Sequence, residues 1–356
     1  MGTKTQDLRF LHSEKLHRRV SVTMQIIVPE LNTASTRLGY GCSQLMGGIT
    51  RRESIALLET AYDSGIRHFD TAPSYGYGQA EGVLGEAFRS RRDQVTIATK
   101  FGIRPPRNQN LTGIARRIIL PVIRRLPSVK SRLSRAAGGL VGPARFSPDE
   151  LRTSIDASRA ALRTDYIDIL LLHEAVVADL SDELFGELER SVNEGKIRTF
   201  GVGSEAVTAA QIYRVERRFC PIMQFEWSVL SHDKPVYAGS FLITHRGLSG
   251  NLVRLHSWLG ANPLVARSWS KELGLDVASA SVLSRLMFAA ARAANPDGIT
   301  LFSSRNAHNI RANAQLMLDN SALRVGAAFA ALVARDALAS LMPKVPKSEL
   351  EASIGW

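Results

Sequence analysis

Four side chains in this chain of 356 residues have the types and places for proton chemistry. Asp70 ends the apolar segment Ile66–Asp70, and Tyr75 follows five residues later on a turn. Lys100 follows the segment Gln94–Thr99, and His173 follows the run Tyr166–Leu172. A carboxylate, a phenol, an ammonium and an imidazole are the groups that proteins use as acids and bases. Each also has a plain structural explanation. Asp70 could cap a turn, Tyr75 could be a half-buried loop aromatic, Lys100 a solvated strand end, and His173 a satisfied structural group. The elements that carry them decide how much weight they have together.

Those elements alternate. Strands are expected at Arg37–Cys42, Ile66–Asp70, Gln94–Thr99, Tyr166–Leu172, Ile197–Val202, Ile222–Phe225, Ser240–Thr244 and Ile299–Phe302. Thr50 caps a helix over Arg51–Ser64, with Glu53 at capping-box spacing and Gly65 closing it. Helices follow at Gln79–Arg89, at 148–162 behind Ser147-Pro148, and at Ser181–Glu194, Val207–Phe219 and Val277–Ala294. Asn306–Leu318 and Ala322–Ala339 close the chain. The run Tyr166–Leu172 is apolar without a break, as expected of a strand buried on both faces of a parallel sheet. Eight strands alternating with helices predict a (β/α)8 TIM barrel, whose chemistry sits where strands end. The rival doubly wound sheet places Gly-x-Gly-x-x-Gly after its first strand, and Gly39-Tyr40-Gly41-Cys42-Ser43-Gln44 does not supply it. The four polar residues then converge on one rim.

The constellation resembles the aldo-keto reductase family. The resemblance rests on Asp70-Thr71-Ala72-Pro73-Ser74-Tyr75-Gly76, Ala98-Thr99-Lys100 and Leu171-Leu172-His173. It continues in the run from Gly195 to Gly203, in Gln224 before Trp227, and in Ser303-Ser304-Arg305, covering about residues 36–320. It implies a carbonyl–alcohol oxidoreductase in which Tyr75 is the general acid. A phenol with an unperturbed pKa of ~10 is a poor acid at neutral pH. An ammonium at Lys100, held by Asp70, favours the phenolate. His173 would orient the carbonyl oxygen.

The resemblance also implies a nicotinamide dinucleotide. Ser303 and Ser304 fall on its phosphate turn, Arg305 on the position that meets the 2′-phosphate of NADP, and Asn309 and Asn313 on the adenosine contacts. A strand end running into a helix N-terminus is an anion site, and Arg suits a phosphate fork. NADP(H) is therefore expected over NAD(H). Ser204 and Gln224 fall on the carboxamide contacts and Trp227 on the stacking aromatic. The family usually reads Ser-Asn where this chain has Gly203-Ser204, and Ser-Pro-Leu where it has His245, Arg246 and Gly247. No metal is implied. The expected substrate is a small carbonyl compound or a sugar. A sugar dehydrogenase running toward oxidation is the alternative within chemistry. A slow cofactor-sensing or scaffolding barrel is the alternative outside it.

The net charge of +12 is confined. Residues 102–146 carry ten Arg or Lys and no acid, and residues 1–23 carry five bases and two acids, leaving the rest at −1. The insert, with Ile114, Ile118-Ile119, Val122-Ile123 and Leu126 among paired arginines, reads as a basic amphipathic helix interrupted by Pro121. It suits a lid with a solvated cationic face, or attraction to an anionic surface or acidic partner. Nucleic acid is disfavoured, because the insert has no interleaved aromatic before Phe146. Residues 1–32 are expected to be a leader, disordered in part, with Met24 a candidate start; 33–356 are expected to be one barrel domain. No apolar run reaches the ~20 residues of a membrane span. Only Cys42 and Cys220 are present, which fits a reducing cytoplasm.

Overall fold

The computed structural model describes residues 24–31, 33–104, 146–231 and 237–341. The basic amphipathic helix expected within 102–146, and the leader before Met24, lie outside them. Two short strands, β1 (Gln25–Val28) and β2 (Thr33–Thr36), pair antiparallel with Gln25 opposite Thr36. The expected leader thus ends in a hairpin that crosses its boundary at residue 32.

Eight parallel strands then close a barrel: β3 (Leu38–Gly41), β4 (His68–Asp70), β5 (Thr96–Phe101), β6 (Ile167–His173), β7 (Ile197–Gly203), β8 (Ile222–Glu226), β9 (Phe241–His245) and β10 (Ile299–Phe302). They pair in chain order, and β10 returns to β3. This is the (β/α)8 barrel that the alternation predicts. Two of the strand ends that differ from expectation bear on the site. Lys100 lies inside β5, paired with Leu171, and His173 inside β6, paired with Gly203. Ladder hydrogen bonds therefore fix both backbones.

The barrel interior is apolar below the rim. Ala98, Ile169, Leu171, Ile222, Ile243 and Ile299 pack together there, joined from the hairpin by Ile26 and Val28. Gly39 is required for this packing, since a Cβ would lie 2.5 Å from Leu301 Cδ2 and 2.7 Å from His68 Cδ2. Around the barrel run α1 (Arg51–Asp63), α2 (Ala80–Ala87), α3 (Pro148–Leu162), α4 (Asp182–Asn193) and α5 (Ala206–Val215). Thr50 and Glu53 form the expected capping box on α1. Ser147 accepts from Glu150 N at the start of α3. The helix expected to reach Phe219 stops at Val215, because Glu216 leaves the helical region (φ −127°, ψ 50°).

The chain divides into two compact units. One contains the barrel, with residues 236–245 and 295–318. The other takes residues 227–235, 246–294 and 319 onward. It contains α6 (Asn251–Ala261), α7 (Pro263–Leu273), α8 (Ala280–Ala294) and α10 (Asn320–Asp336); α9 (Ala307–Leu316) belongs to the barrel unit. Neither α6 nor α7 was expected from the sequence. Trp269, Phe329, Met287 and Leu259 anchor the core of the second unit, and the Trp269 indole donates to Asp336 Oδ2 at 2.7 Å. Among the described residues no single helix is long and apolar enough to cross a membrane.

Candidate active site at the barrel rim

The site is built on the C-terminal ends of β4, β5, β6 and β8. Lys100 Nζ donates to Asp70 Oδ1 at 2.7 Å, to Asp70 Oδ2 at 2.8 Å and to the Thr71 carbonyl at 2.9 Å. Both side chains are nearly sealed, Lys100 at 2% and Asp70 at 4% exposure. Burial alone would neutralise both. It is outweighed at Asp70 by the Lys100 charge and by hydrogen bonds, so the carboxyl sits below its ordinary range. It is outweighed at Lys100 by Asp70 and Tyr75, so the ammonium sits above its ordinary range. The pair is therefore ionised at neutral pH.

Tyr75 stands over this pair. Its turn, Tyr75–Gly78, opens with Tyr75 N donating to Ala72 O at 3.0 Å. Gly76 adopts φ +56°, and a Cβ there would lie 2.8 Å from Leu45 O, so glycine sets the turn that aims the phenol. The Tyr75 ring centroid lies 5.1 Å from Lys100 Nζ. The ring meets His173 edge-on, with centroids 6.1 Å apart and planes at 85°. His173 is pushed down to about 3 by burial and then by the Lys100 and His245 charges, against the pull of Asp70. It is therefore neutral, and its buried Nδ1 has no hydrogen-bond partner among the described residues.

The structure brings Asp70, Tyr75, Lys100 and His173 into one cluster. It adds Gln224, whose Nε2 donates to Asp70 Oδ2 at 2.7 Å. Sequence reasoning placed Gln224 on a cofactor and missed this bond, because it joins residues 154 apart that no local pattern connects. Ser204 is buried, and its hydroxyl donates to Ala175 O at 2.9 Å, so toward a ligand it can only accept. Glu81 on α2 was also missed. It is 6% exposed and accepts from Thr99 Oγ1 at 2.6 Å, directly behind Lys100 in sequence.

The turn after β10 lies two strands round the rim from Asp70, with β3 between. Ser303 Oγ donates to Gly41 O at 2.7 Å, and Gly41 pairs with Asp70 across β3 and β4. Tyr40 OH donates to Ser304 O at 2.7 Å. Asn306 caps α9, accepting from His308 N at 2.8 Å. Arg305 is exposed and donates to Gly47 O at 3.2 Å; it forms no ion pair among the described residues. Asn309 is exposed and Asn313 half-buried, one turn apart on α9. Trp227 belongs to the second unit, half-buried against its core, with a buried indole N–H that has no described partner.

The family model for the aldo/keto reductase family matches residues 37–236, more than half of the chain. The chain belongs to the aldo/keto reductase family. Curated relatives include a probable aldo-keto reductase 1 of Glycine max, 28% identical over 56% of this chain and 49% of that protein. A D-threo-aldose 1-dehydrogenase of a Pseudomonas species is 33% identical over 49% of this chain and 52% of that protein. The chain thus spans about half the length of the curated relatives it matches. Among solved structures, a glycerol dehydrogenase from Gluconobacter oxydans aligns over 91% of this chain and 98% of its own, with TM-score 0.64 and 17% identity. An aldo-keto reductase from Klebsiella pneumoniae in complex with NADPH aligns over 88% and 94%, with TM-score 0.56 and 20% identity. At these identities the two structures establish a shared fold.

Proposed function

We propose that this aldo/keto reductase interconverts a small carbonyl compound and its alcohol with NADP(H), and that Tyr75 delivers the proton. The observation that carries the proposal is the sealed Asp70–Lys100 ion pair with the Tyr75 ring 5.1 Å from the ammonium. A buried charge pair at a barrel rim costs stability to assemble, and its use is to set the charge felt by a neighbour. An ammonium beside a phenol favours the phenolate, which makes the phenol a usable acid near neutral pH. His173, neutral, can offer a hydrogen bond to a carbonyl oxygen without competing for the proton. As the oxygen gains negative charge, Tyr75 releases its proton to it, and Lys100 stabilises the phenolate left behind. Asp70 keeps Lys100 charged and fixed.

The residues present fit a phosphate-bearing dinucleotide. Ser303, Ser304 and the exposed Arg305 stand where β10 runs into the capped N-terminus of α9. Nicotinamide supplies the hydride when bound. Arg305 would hold its 2′-phosphate, Ser303 and Ser304 its phosphates, and Asn309 and Asn313 its adenosine. Gln224 and Ser204 would hold its carboxamide. An NADPH complex in a structural relative supports this choice. The name of the Pseudomonas relative supports a sugar as one substrate class and oxidation as one direction.

The test is a fluorescence titration with NADPH and NADH, then a panel of aldehydes, ketones and sugars on wild type and Tyr75→Phe. NADPH should bind more tightly. Tyr75→Phe should keep that affinity and lose about 10²–10⁴ in kcat. Binding without turnover above the Tyr75→Phe background would favour a cofactor-sensing or scaffold role.

A further inference from the structure

We propose that Gln224 is a positioning residue for proton delivery, acting through Asp70; this rests on the role given to Tyr75 above. Gln224 is 3% exposed on β8, in register with Gly203 of β7. Its Nε2 donates to Asp70 Oδ2 at 2.7 Å. The same oxygen accepts from Lys100 Nζ at 2.8 Å, and Oδ1 accepts from Nζ at 2.7 Å. An amide facing a carboxylate must present its NH2, since its oxygen would be repelled. Asp70 thereby fixes the orientation of the Gln224 amide. The amide oxygen turns toward Gly203, where a Cβ would lie 3.6 Å from it. It is the one group of Gln224 left to meet a donor.

Two donors therefore share the charge of Asp70. What Gln224 takes, Lys100 does not have to satisfy, and the ammonium keeps more of its field for the Tyr75 phenol. Without the Gln224 donor, Asp70 would draw harder on Lys100 and the phenolate would lose support. Through its oxygen, the same side chain links whatever donor occupies the pocket to the charge balance of Asp70. The amide is thus a joint between ligand and acid, and not a ligand contact alone.

The decisive readout is the tyrosinate absorbance titration of wild type minus that of Tyr75→Phe, which isolates Tyr75. In a Gln224→Leu background the Tyr75 titration should move to higher pH by on the order of half a unit. Gln224→Glu carries a separate signature. At low pH its carboxyl is protonated and can donate to Asp70 as the amide does. As pH rises through its ionisation, two carboxylates face each other. The ratio of its kcat at saturating NADPH to that of wild type should therefore fall as pH rises, whereas for Gln224→Leu the same ratio should be low and independent of pH. Should Gln224→Leu fail to fold, the isosteric Gln224→Glu carries the test alone. A changed NADPH Kd with unchanged Tyr75 titration and unchanged kcat–pH profiles overturns the proposal. The titration needs no turnover, so a shifted Tyr75 in an enzyme inactive on every substrate would sink the oxidoreductase assignment and leave the Gln224–Asp70 joint standing.

Discussion

Glu81 shows how much of a site can lie one layer behind it. The acid sits in the first turn of α2, where sequence gives it the ordinary role of complementing the helix dipole. It is instead buried, with burial pushing its carboxyl above the usual range against hydrogen bonds from Thr99 and Ser158. A raised folded pKa means that the native state keeps a proton the unfolded chain has lost. Glu81 thus adds stability below the ordinary carboxylate pKa, and that stability is lost as pH rises through the folded value. Glu81→Gln keeps an acceptor for Thr99 and removes the titration. Denaturant midpoints from pH 4 to 7 should show the variant at least as stable as wild type at pH 7, with that advantage shrinking as the pH falls. A wild-type slope in Glu81→Gln would assign the titration to another group. The same contrast separates the tetrad from its support. Asp70, Lys100 and His173 were legible because each ends an apolar run, and Tyr75 because it follows Asp70 on the next turn. The bonds of Gln224 and Ser204 were not, because they are made across strands after folding.

At the scale of elements, alternation made the barrel legible and hid what does not alternate. The hairpin β1–β2 has four-residue strands, and the segment Pro29–Leu31 after β1 lacks an Asn-Gly or Gly-led signature. Ile26-Ile27-Val28 is apolar without alternation, so the period of two emerges only on folding, with Ile26 and Val28 buried while Gln25 and Ile27 are exposed. Helices α6 and α7 carried clear marks, Pro263 in the first turn of α7 and Gly274 as its left-handed C-cap. They fell in a stretch that eight repeating units had no need to fill. The hairpin gives a sharp test of its own placement. Val28 is fully buried in the barrel cluster and Ile27 is 55% exposed. Val28→Ala should cost about 2 kcal/mol by removing packed methyls, and Ile27→Ala should stay within about 0.5 kcal/mol. Equal effects in chemical denaturation would mean that the hairpin does not seat its even-numbered face in the barrel.

Acidification should act on the whole molecule through two histidines that the fold keeps neutral. His68 is fully buried beneath Asp70 on the same face of β4, with Nδ1 3.1 Å from Thr96 Oγ1. Burial, and then the Lys100 charge, push it down to about 4. His173 is pushed down to about 3, burial again the largest cause. In the unfolded chain both take up protons near the ordinary 6.5. Between that value and their folded values the unfolded state binds more protons, so stability rises with pH and is lost on acidification. For His68 the gap from 6.5 to about 4 amounts to about 3 kcal/mol, and His173 adds a term of similar size. Against a total of about 5–15 kcal/mol, this is enough to bring the unfolding midpoint sharply down by pH 4. The net charge of +12 rises further as protons bind the unfolded chain, and self-repulsion reinforces the direction. Denaturant midpoints at pH 7, 5.5 and 4.5 should therefore fall steeply in wild type. His68→Gln, which keeps a polar group for Thr96 without a titrating ring, should lose about half of that fall. A His68→Gln profile parallel to wild type would place the acid sensitivity elsewhere in the barrel.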